Sequence, residues 1–309
     1  MTELTHKPVL LPQVLEALRP RAGSRLVDGT IGLGGHASAL LMASAPDGLL
    51  LGCDLDGAAL EIASRRLEPF TGRFELQRMN FAGLAQWIQP GSCGGMLLDL
   101  GVSSAQLDSP ARGFSFQNDG PLDMRMDCNS PMTAATLCNT ASAAELARMF
   151  ADFSDEPHAR RIARAIESER QSHTFETTGQ LARLVERINP RCGSRSHPAT
   201  RVFQALRMAV NDELASLRSG LAAALEILAP GGRLAVITFH SIEDRITKNF
   251  GRDAARDYSV PGAEDIPELR QARQPLLRVL TRKPVVPDAA EIAANPRARS
   301  AQLRVFEKL

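Results

Sequence analysis

The chain has 309 residues, 44% of them hydrophobic and 23% charged, and its 36 Lys and Arg almost balance its 35 Asp and Glu. This composition is typical of a folded protein with one large or two medium domains. It excludes a chain that is basic overall, although a local basic face would suffice to bind phosphate. The five cysteines form no CxxC pair, so we expect no metal centre and no disulfide framework.

The sequence shows neither a membrane-spanning segment nor a secretion signal. No apolar stretch approaches the roughly 20 residues that a bilayer-spanning helix needs. The N-terminal segment MTELTHKPVLL lacks the charged-then-apolar pattern of a signal peptide. We therefore expect a cytoplasmic protein that has no membrane partner.

Short apolar runs alternate with helical patterns through the first hundred residues. Strands are predicted at residues 25–28, 48–54, 74–79 and 94–99, with helices at 36–43 and 58–67. Near-continuous apolar strands that alternate with helices are typical of a parallel sheet covered on both faces. This part of the chain is therefore predicted to be α/β.

The pattern changes between Gln106 and Ala199, where no buried strand is visible. Helices are predicted at residues 141–153, 156–171 and 178–187, followed by one long helix at 200–228 and a loop at 260–274. Strands resume at 233–239 and 302–307. Two sequential domains would leave these last strands without a sheet. We therefore predict one Rossmann-like α/β domain with a mostly parallel sheet, residues 1–105 plus 205–309, interrupted by a helical domain at 106–204.

A glycine-rich segment, DGTIGLGGH at residues 28–36, follows the first predicted strand. Its four glycines let the backbone turn tightly and approach a ligand without clashes from Cβ atoms. Asp54 ends the second strand, 20 residues after Gly34, where its carboxylate can accept hydrogen bonds from both hydroxyls of a ribose. A glycine loop followed by an acid at the next strand end predicts a nucleoside-binding site.

The spacing of this loop favours S-adenosyl-L-methionine over a dinucleotide. Dinucleotide sites have the pattern GxGxxG, in which the pyrophosphate rests on a helix N-terminus. Here a carboxylate, Asp28, leads the loop. It would repel a pyrophosphate, whereas it would suit the ammonium group of a methionine moiety. A dehydrogenase that binds NAD is the alternative.

Two further residues follow strand ends in the same sheet. Phe81 comes after the third strand, where an aromatic ring could lie against adenine; the alternative is a core residue. Asp99 ends the fourth strand, where the transferred methyl group should emerge, because open α/β sheets bind ligands at the carboxyl ends of their strands. These residues and the glycine loop are therefore expected to converge.

The segment DLGVSSAQLDSPARGFSFQNDGPLDMRMD, residues 99–127, is too particular to be a generic loop. It resembles the signature of the RsmH (MraW) family, the bacterial 16S rRNA cytidine N4-methyltransferases. The blocks HKPVLLPQVLEAL, VDGTIGLGGHA, HPATRVFQALRMAVNDEL, GGRLAVITFHSIEDR and NPRARSAQLRV agree, so the resemblance runs from His6 to Val305.

The resemblance implies transfer of a methyl group from S-adenosylmethionine to the exocyclic N4 of a cytidine in the decoding region of 16S rRNA. The implied partner is the small ribosomal subunit, and the implied fold is a class I methyltransferase with an inserted helical domain for substrate recognition. The family's cofactor contacts correspond to Gly34, Gly35, His36, Asp54, Phe81, Asp99 and Gln106. Only the resemblance points to His36 and Gln106.

The catalytic residue is not assigned from the sequence. Many amino-methyltransferases carry an Asp/Asn-Pro-Pro-aromatic motif at the fourth strand end, whereas this chain has Asp99, Leu100, Gly101 and Val102 there. His240 follows the next strand and could face the substrate; the alternative is an ordinary loop histidine.

Six arginines are candidates for contacts with RNA phosphates, with surface ion pairs as the alternative: Arg160, Arg161, Arg164, Arg297, Arg299 and Arg304. A non-catalytic RNA-binding protein is a second alternative to the enzyme, and the presence of Gly34, Asp54 and Asp99 argues against it.

Overall fold

The computed structural model describes residues 8–190, 197–260 and 265–309. Residues 6–7 of the first family block and 261–264 of the predicted loop lie outside these described residues. The chain divides into two units: the first combines Met1–Gly101 with Ala215–Leu309, and the second is Val102–Leu214. The second unit begins four residues before the predicted helical domain and ends ten residues after it.

The described helices are α1 Leu11–Leu18, α2 Gly35–Ala43, α3 Gly57–Leu67, α4 Leu84–Trp87, α5 Ser104–Asp108, α6 Ala134–Thr140, α7 Ala143–Ser154, α8 Ala159–Glu169, α9 Thr178–Ile188, α10 Thr200–Val210, α11 Glu213–Ile227, α12 Ser241–Ala254 and α13 Ala289–Ala294. The described strands are β1 Arg25–Asp28, β2 Leu49–Asp54, β3 Phe74–Arg78, β4 Cys93–Asp99, β5 Leu228–Thr238, β6 Tyr258–Ser259, β7 Gln271–Ala272, β8 Leu277–Val279 and β9 Gln302–Lys308.

Seven strands of the first unit form one sheet in the order β3-β2-β1-β4-β5-β9-β8. Strands β1 to β5 are parallel, while β9 runs antiparallel to both β5 and β8. The predicted mostly parallel, Rossmann-like sheet is thereby confirmed. The chain moves outward from β1 to β3 and then returns to β4 on the other side of β1. Ligands of open α/β sheets bind at such a reversal, outside the carboxyl ends of the strands.

Apolar side chains cover both faces of this sheet, which explains the near-continuous apolar strands. Alternate residues of one strand point to opposite faces. Thus Val27 and Leu98 belong to one core cluster, whereas their neighbours Leu26 and Leu97 belong to another. All four are at most 1% exposed. The two cores hold the strand ends in fixed positions.

The second unit has its own core, built mainly from one face of each helix. In α8 the residues Ile162, Ala163 and Ile166 are fully buried, whereas the arginines lie on the opposite, exposed face. Hydroxyl side chains cap the helix starts: Ser142 and Thr177 each form a capping box with the residue three positions later. Among the described residues of this unit the only β pairing is an isolated bridge between Pro121 and Thr177.

The prediction of one long helix at residues 200–228 is wrong. The helix breaks into α10 and α11 at Asn211 and Asp212, and Asp212 has a left-handed φ of 47°. The side-chain Nδ2 of Asn211 donates to the carbonyl oxygen of Met124 at 2.8 Å. Its Oδ1 accepts from the backbone amide of Met126 at 2.7 Å. These hydrogen bonds join Asn211 to residues that are distant in the sequence, and they stabilise the break between the two helices.

Part of the predicted loop at 260–274 is ordered into short elements. Strand β7 pairs antiparallel with β6, and a 3-10 helix covers Pro267–Leu269. Across the described ranges, no helix is both long and apolar enough to span a membrane.

Candidate active site

The glycine-rich loop lies at the carboxyl ends of three neighbouring strands. The amide of Gly29 donates to Leu97 of β4 at 3.0 Å, and the amide of Ile31 donates to Cys53 of β2 at 3.0 Å. The loop that follows β1 is therefore hydrogen-bonded to β4 and to β2, the strands on either side of β1. This placement matches the ligand-binding edge of an open α/β sheet.

The glycines of the loop serve two different purposes. Gly34 has a φ of 77°, and a Cβ there would lie 3.2 Å from the Cα of Ala63. A Cβ on Gly35 would lie 2.6 Å from Cγ of Pro8. Both positions thus permit close packing within the protein. Gly32 has a φ of 49° but faces open space, because the nearest atom to its Cβ position is 3.9 Å away. Gly32, which the sequence did not single out, is where a ligand can approach the backbone closely.

Asp54 fixes the conformation of the loop. Its Oδ2 accepts a hydrogen bond from the amide of Gly32 at 2.9 Å, and its Oδ1 accepts one from the amide of Asp56 at 2.9 Å. Burial raises the pKa of Asp54 above its usual value, and these two amide bonds oppose that shift. The carboxylate therefore already holds the loop before it contacts any ligand.

A buried histidine, His36, and a partly exposed carboxylate, Asp99, lie close together at the same edge. His36 lies in the first turn of α2 and is 6% exposed; its Nε2 is 3.6 Å from Oδ2 of Asp99, which is too long for a good hydrogen bond. Both ring nitrogens of His36 and Oδ1 of Asp99 are buried and have no hydrogen-bond partner among the described residues. Buried polar atoms are normally paired, so these atoms fit a bound group that carries both donors and acceptors.

Asp28 lies deeper than the sequence suggested. It is only 1% exposed, and its Oδ1 accepts from the amide of Thr30 at 3.1 Å. Burial raises its pKa from 3.8 to about 7; the nearby His36 opposes this shift. The side chain of Asp99, by contrast, is 24% exposed. Asp99, and not Asp28, is therefore the carboxylate that is open to a ligand's ammonium group.

Thr30 is a residue of this edge that the sequence did not single out. Its hydroxyl oxygen accepts a hydrogen bond from the backbone amide of Asp99 at 2.6 Å. This bond sets the position of Asp99 relative to the loop. Only its place within the glycine-rich segment hinted at a role.

Phe81 lies beside the start of the loop. It is partly buried against the core, and its Cβ is 3.1 Å from the position that a Cβ on Gly29 would take. The preceding residue, Asn80, caps the turn by accepting from the amide of Ala82 at 2.9 Å, and it donates to Oγ of Ser216 on α11 at 2.8 Å. The first unit thus brings together Gly34, Gly35, His36, Asp54, Phe81 and Asp99.

Gln106 belongs to the second unit, in α5. It is 5% exposed, and its Oε1 accepts from the amide of Ser103 at 2.9 Å while Oγ of Ser103 accepts from the amide of Gln106 at 3.3 Å. Gln106 and Ser103 therefore form a capping box at the start of α5.

His240 directly precedes α12, at the carboxyl end of β5. Its backbone amide donates to Oε2 of Glu243 at 3.1 Å, and the amide of Phe239 donates to the same oxygen at 2.9 Å. Glu243 is 2% exposed. This buried carboxylate fixes the turn that follows β5, and β5 pairs with β4, the strand that ends in Asp99.

Arg304 was predicted to contact RNA phosphates, and this prediction is wrong. The residue lies on β9, is 6% exposed, and donates to both carboxylate oxygens of Asp244 at 2.6 and 2.9 Å. A buried guanidinium bound bidentately to a carboxylate is already neutralised, so it has no charge to offer to RNA.

Three features define the class of fold. They are the strand order, the reversal between β1 and β4, and a glycine loop whose conformation is fixed by the acid at the next strand end. The chain has an open, Rossmann-like α/β fold whose ligand-binding edge lies at the carboxyl ends of its parallel strands.

Comparison with known proteins gives the family. The model of the MraW methylase family matches residues 3–309, and the chain belongs to this family. Its methyl donor is S-adenosyl-L-methionine.

Two relatives carry the name ribosomal RNA small subunit methyltransferase H. The protein of Geotalea uraniireducens is 49% identical over the whole of both chains, and that of Syntrophotalea carbinolica is 52% identical over 98% of each. Among solved structures, the N-methyltransferase NodS of Bradyrhizobium japonicum, in complex with S-adenosyl-L-homocysteine, covers 99% of this chain and 91% of its own, with 8% identity and a TM-score of 0.44. That likeness is too slight to add to the family assignment.

Proposed function

We propose that this enzyme methylates the exocyclic N4 of a cytidine in the decoding region of 16S rRNA, acting on the small ribosomal subunit in the cytoplasm. The family match over residues 3–309 carries the proposal, together with relatives of about half-identical sequence that are named as small-subunit rRNA methyltransferases. The resemblance of residues 99–127 to the family signature supplies the choice of cytidine N4.

The cofactor contacts are proposed from the polar groups of the loop edge. A carboxylate has about four lone-pair sites, so Asp54 can hold two backbone amides and still accept from ribose hydroxyls. The partly exposed Asp99 and the unpartnered His36 suit the charged methionine end. Phe81 offers a ring to the adenine. Gly34 and Gly35 are included on the family resemblance, and their missing Cβ atoms make room for Ala63 and Pro8.

Gln106 completes the proposed set of cofactor contacts. It rests on the family resemblance alone, since the structure assigns its side-chain oxygen to the capping box of α5.

Positioning is proposed to supply most of the rate. The bound donor supplies a methyl group on a sulfonium, which is already a good leaving group. The cytosine amino group is a poor nucleophile because its lone pair is delocalised into the ring. The enzyme must therefore hold that nitrogen in line with the methyl group and accept hydrogen bonds from the amino group. Correct positioning of this kind raises the reaction rate by several orders of magnitude in favourable cases. Oδ1 of Asp99, which is buried and has no hydrogen-bond partner among the described residues, is an acceptor at this edge.

The second unit is proposed to recognise the RNA, and the arginines of α8 are its proposed phosphate contacts. Arg160, Arg161 and Arg164 are exposed, and within the described part of the chain none of them forms an ion pair. The alternative interpretation as surface ion pairs is therefore not supported. Arg297 and Arg299 near the start of β9 are also exposed and remain proposed contacts.

Replacing Arg160, Arg161 and Arg164 together with glutamine is expected to weaken the binding of small-subunit RNA and to make it less dependent on salt. Three lost phosphate contacts should reduce the slope of log affinity against log salt by about 2, at roughly 0.7 per contact on a single strand. Arg187→Gln is the control, because this exposed arginine of α9 is paired with Glu169 at 2.7 Å. An unchanged salt slope in the triple variant, measured by filter binding, would remove α8 from the interface.

Replacing His240 with alanine is expected to lower turnover while leaving the affinity for S-adenosylmethionine unchanged. The residue lies at the end of β5, beside the strand that ends in Asp99, but it is not among the cofactor contacts. Removal of one positioned polar group at a reacting centre costs on the order of 100-fold in rate. Single-turnover kinetics and calorimetric titration separate the two quantities. Turnover equal to that of the unaltered protein would exclude His240 from the site.

The deciding experiment incubates the protein with S-adenosylmethionine labelled in the methyl group and with undermethylated small ribosomal subunits. The label is expected in 16S rRNA, on one nucleotide of the decoding region, as N4-methylcytidine after digestion to nucleosides. Large ribosomal subunits serve as the control substrate. Label in protein, in large-subunit RNA, on another atom of the base or nowhere would contradict the proposal.

A further inference from the structure

Gly220 occupies an unfavourable position for its residue type. It lies in the interior of α11, a helix of 15 residues. After proline, glycine is the residue least favourable to a helix interior, because it has the most backbone freedom to lose. Local helix formation therefore gives no reason for glycine here, and the reason must lie in what packs against it.

The ring of Phe81 is what packs against it. A Cβ on Gly220 would lie 2.4 Å from Cδ2 and 2.6 Å from Cε2 of Phe81, distances that real Cβ atoms do not adopt. One edge of the ring therefore rests directly on the backbone of α11. Any side chain at position 220 has to displace the ring.

The same face of α11 holds the turn before Phe81. Ser216 lies four residues before Gly220, so the two are neighbours on one side of the helix. Oγ of Ser216 accepts from Nδ2 of Asn80 at 2.8 Å, and Ser216 is 8% exposed. The hydrogen bond from Asn80 to Ser216 thus fixes the turn, and the Phe81 ring packs against the helix backbone at Gly220, where there is no side chain.

The opposite side of Phe81 is also confined. A Cβ on Gly29 would lie 3.1 Å from the Cβ of Phe81 and 2.7 Å from Cδ2 of Leu98. The phenylalanine therefore stands between the start of the glycine loop and α11. A ring that is pushed off Gly220 cannot be accommodated without moving relative to that loop.

We propose that Ser216 and Gly220 are positioning residues that set the place of the Phe81 ring, and through it the binding of the adenine half of S-adenosylmethionine. The inference rests on the proposed function, in which Phe81 contacts the adenine. It adds two residues of α11 that lie 136 and 139 positions beyond Asn80 and Phe81 in the sequence.

The test is a double-mutant cycle on the full-length protein. Gly220→Ala is expected to weaken S-adenosylmethionine binding about tenfold, the value of a well-placed aromatic contact. In the background of Phe81→Ala the same substitution should have no effect on affinity, because the ring it displaces is gone. Ser219→Ala, an exposed neighbour on α11, is the matched control and should leave the affinity unchanged. Calorimetric titration gives the affinities, and thermal unfolding without cofactor reports on folding.

The possible outcomes separate this inference from the proposed function. If Phe81→Ala leaves the affinity unchanged, the proposed adenine contact itself fails. If Phe81→Ala weakens binding but Gly220→Ala does not, or does so equally in both backgrounds, the positioning role is overturned. Should Gly220→Ala fail to fold, Ser216→Ala takes its place. It removes only the hydrogen bond to Asn80, and it should weaken binding a few-fold, on the scale of one neutral hydrogen bond, again only when Phe81 is present.

Discussion

Replacing Asp54 with alanine is expected to lower the affinity for S-adenosylmethionine by about 100- to 1,000-fold. The substitution removes the proposed acceptor of the ribose hydroxyls. It also removes the bonds from the amides of Gly32 and Asp56, which hold the loop. Hydrogen bonds to a charged group contribute about 1.5–3 kcal/mol each, so the loss of two or more gives an effect of this size. Calorimetric titration of the folded variant measures it.

Asp47→Ala is the matched control for this prediction. Asp47 also accepts a hydrogen bond from a glycine amide, that of Gly23 at 2.8 Å, but it lies just before β2, at the opposite edge of the same sheet. Its removal should leave cofactor binding unchanged. If the two variants bind the cofactor equally well, the carboxyl edge of the sheet is not the cofactor site.

Asp28→Asn is expected to stabilise the protein at alkaline pH relative to the unaltered chain. Burial raises the pKa of Asp28 to about 7, whereas an unfolded chain leaves it near 3.8. Between these values the folded state holds the proton more tightly than the unfolded state. The contribution of Asp28 to stability is therefore complete below pH 3.8 and is lost as the pH rises through 7.

Urea unfolding at pH 5 and pH 8 measures this effect. Asparagine keeps the side-chain oxygen that accepts from Thr30 but cannot ionise. The stability advantage of Asp28→Asn over the unaltered protein should therefore grow by about 3 kcal/mol between the two pH values, at 1.36 kcal/mol per pH unit up to pH 7. Asp47→Asn, at an exposed site, is the control. An advantage that does not change with pH would show that Asp28 ionises at its ordinary pKa.

The protonation of Asp28 is also coupled to the binding of the cofactor. S-adenosylmethionine carries positive charge, which favours the ionised form of a nearby carboxyl group. The affinity of the unaltered protein should therefore rise with pH through about 7. In Asp28→Asn this part of the pH dependence should disappear, which titrations between pH 6 and pH 8 would detect.

The strands were predictable because both faces of the sheet are buried, so each strand is an apolar run bounded by polar residues. The predicted and observed bounds of β1 coincide, and those of β2, β3 and β4 differ by one residue. The break between α10 and α11 was not predictable from helical periodicity. It depends on contacts of Asn211 with residues 85 and 87 positions away.

The candidate site divides in the same way. The spacing of the glycine loop and Asp54 follows from rules for strand ends, so the sequence alone predicts a nucleoside site there. The pairing of His36 with Asp99 has no local signal, and only family resemblance points to His36. Gly220 gives a faint signal, a glycine inside a helix, but its meaning requires knowing that Phe81 lies against it.

The interrupted first unit also has a consequence for how fast the protein folds. In the sheet, Asp99 of β4 pairs with Ile237 of β5, a residue 138 positions later. Such non-local pairing raises the contact order, and folding rates fall steeply as contact order rises. In the second unit, by contrast, α7 packs on its neighbour α8 and on α10, which begins only 46 positions after α7 ends. The slow step of folding should therefore be the joining of β4 to β5, after the helical unit has already formed.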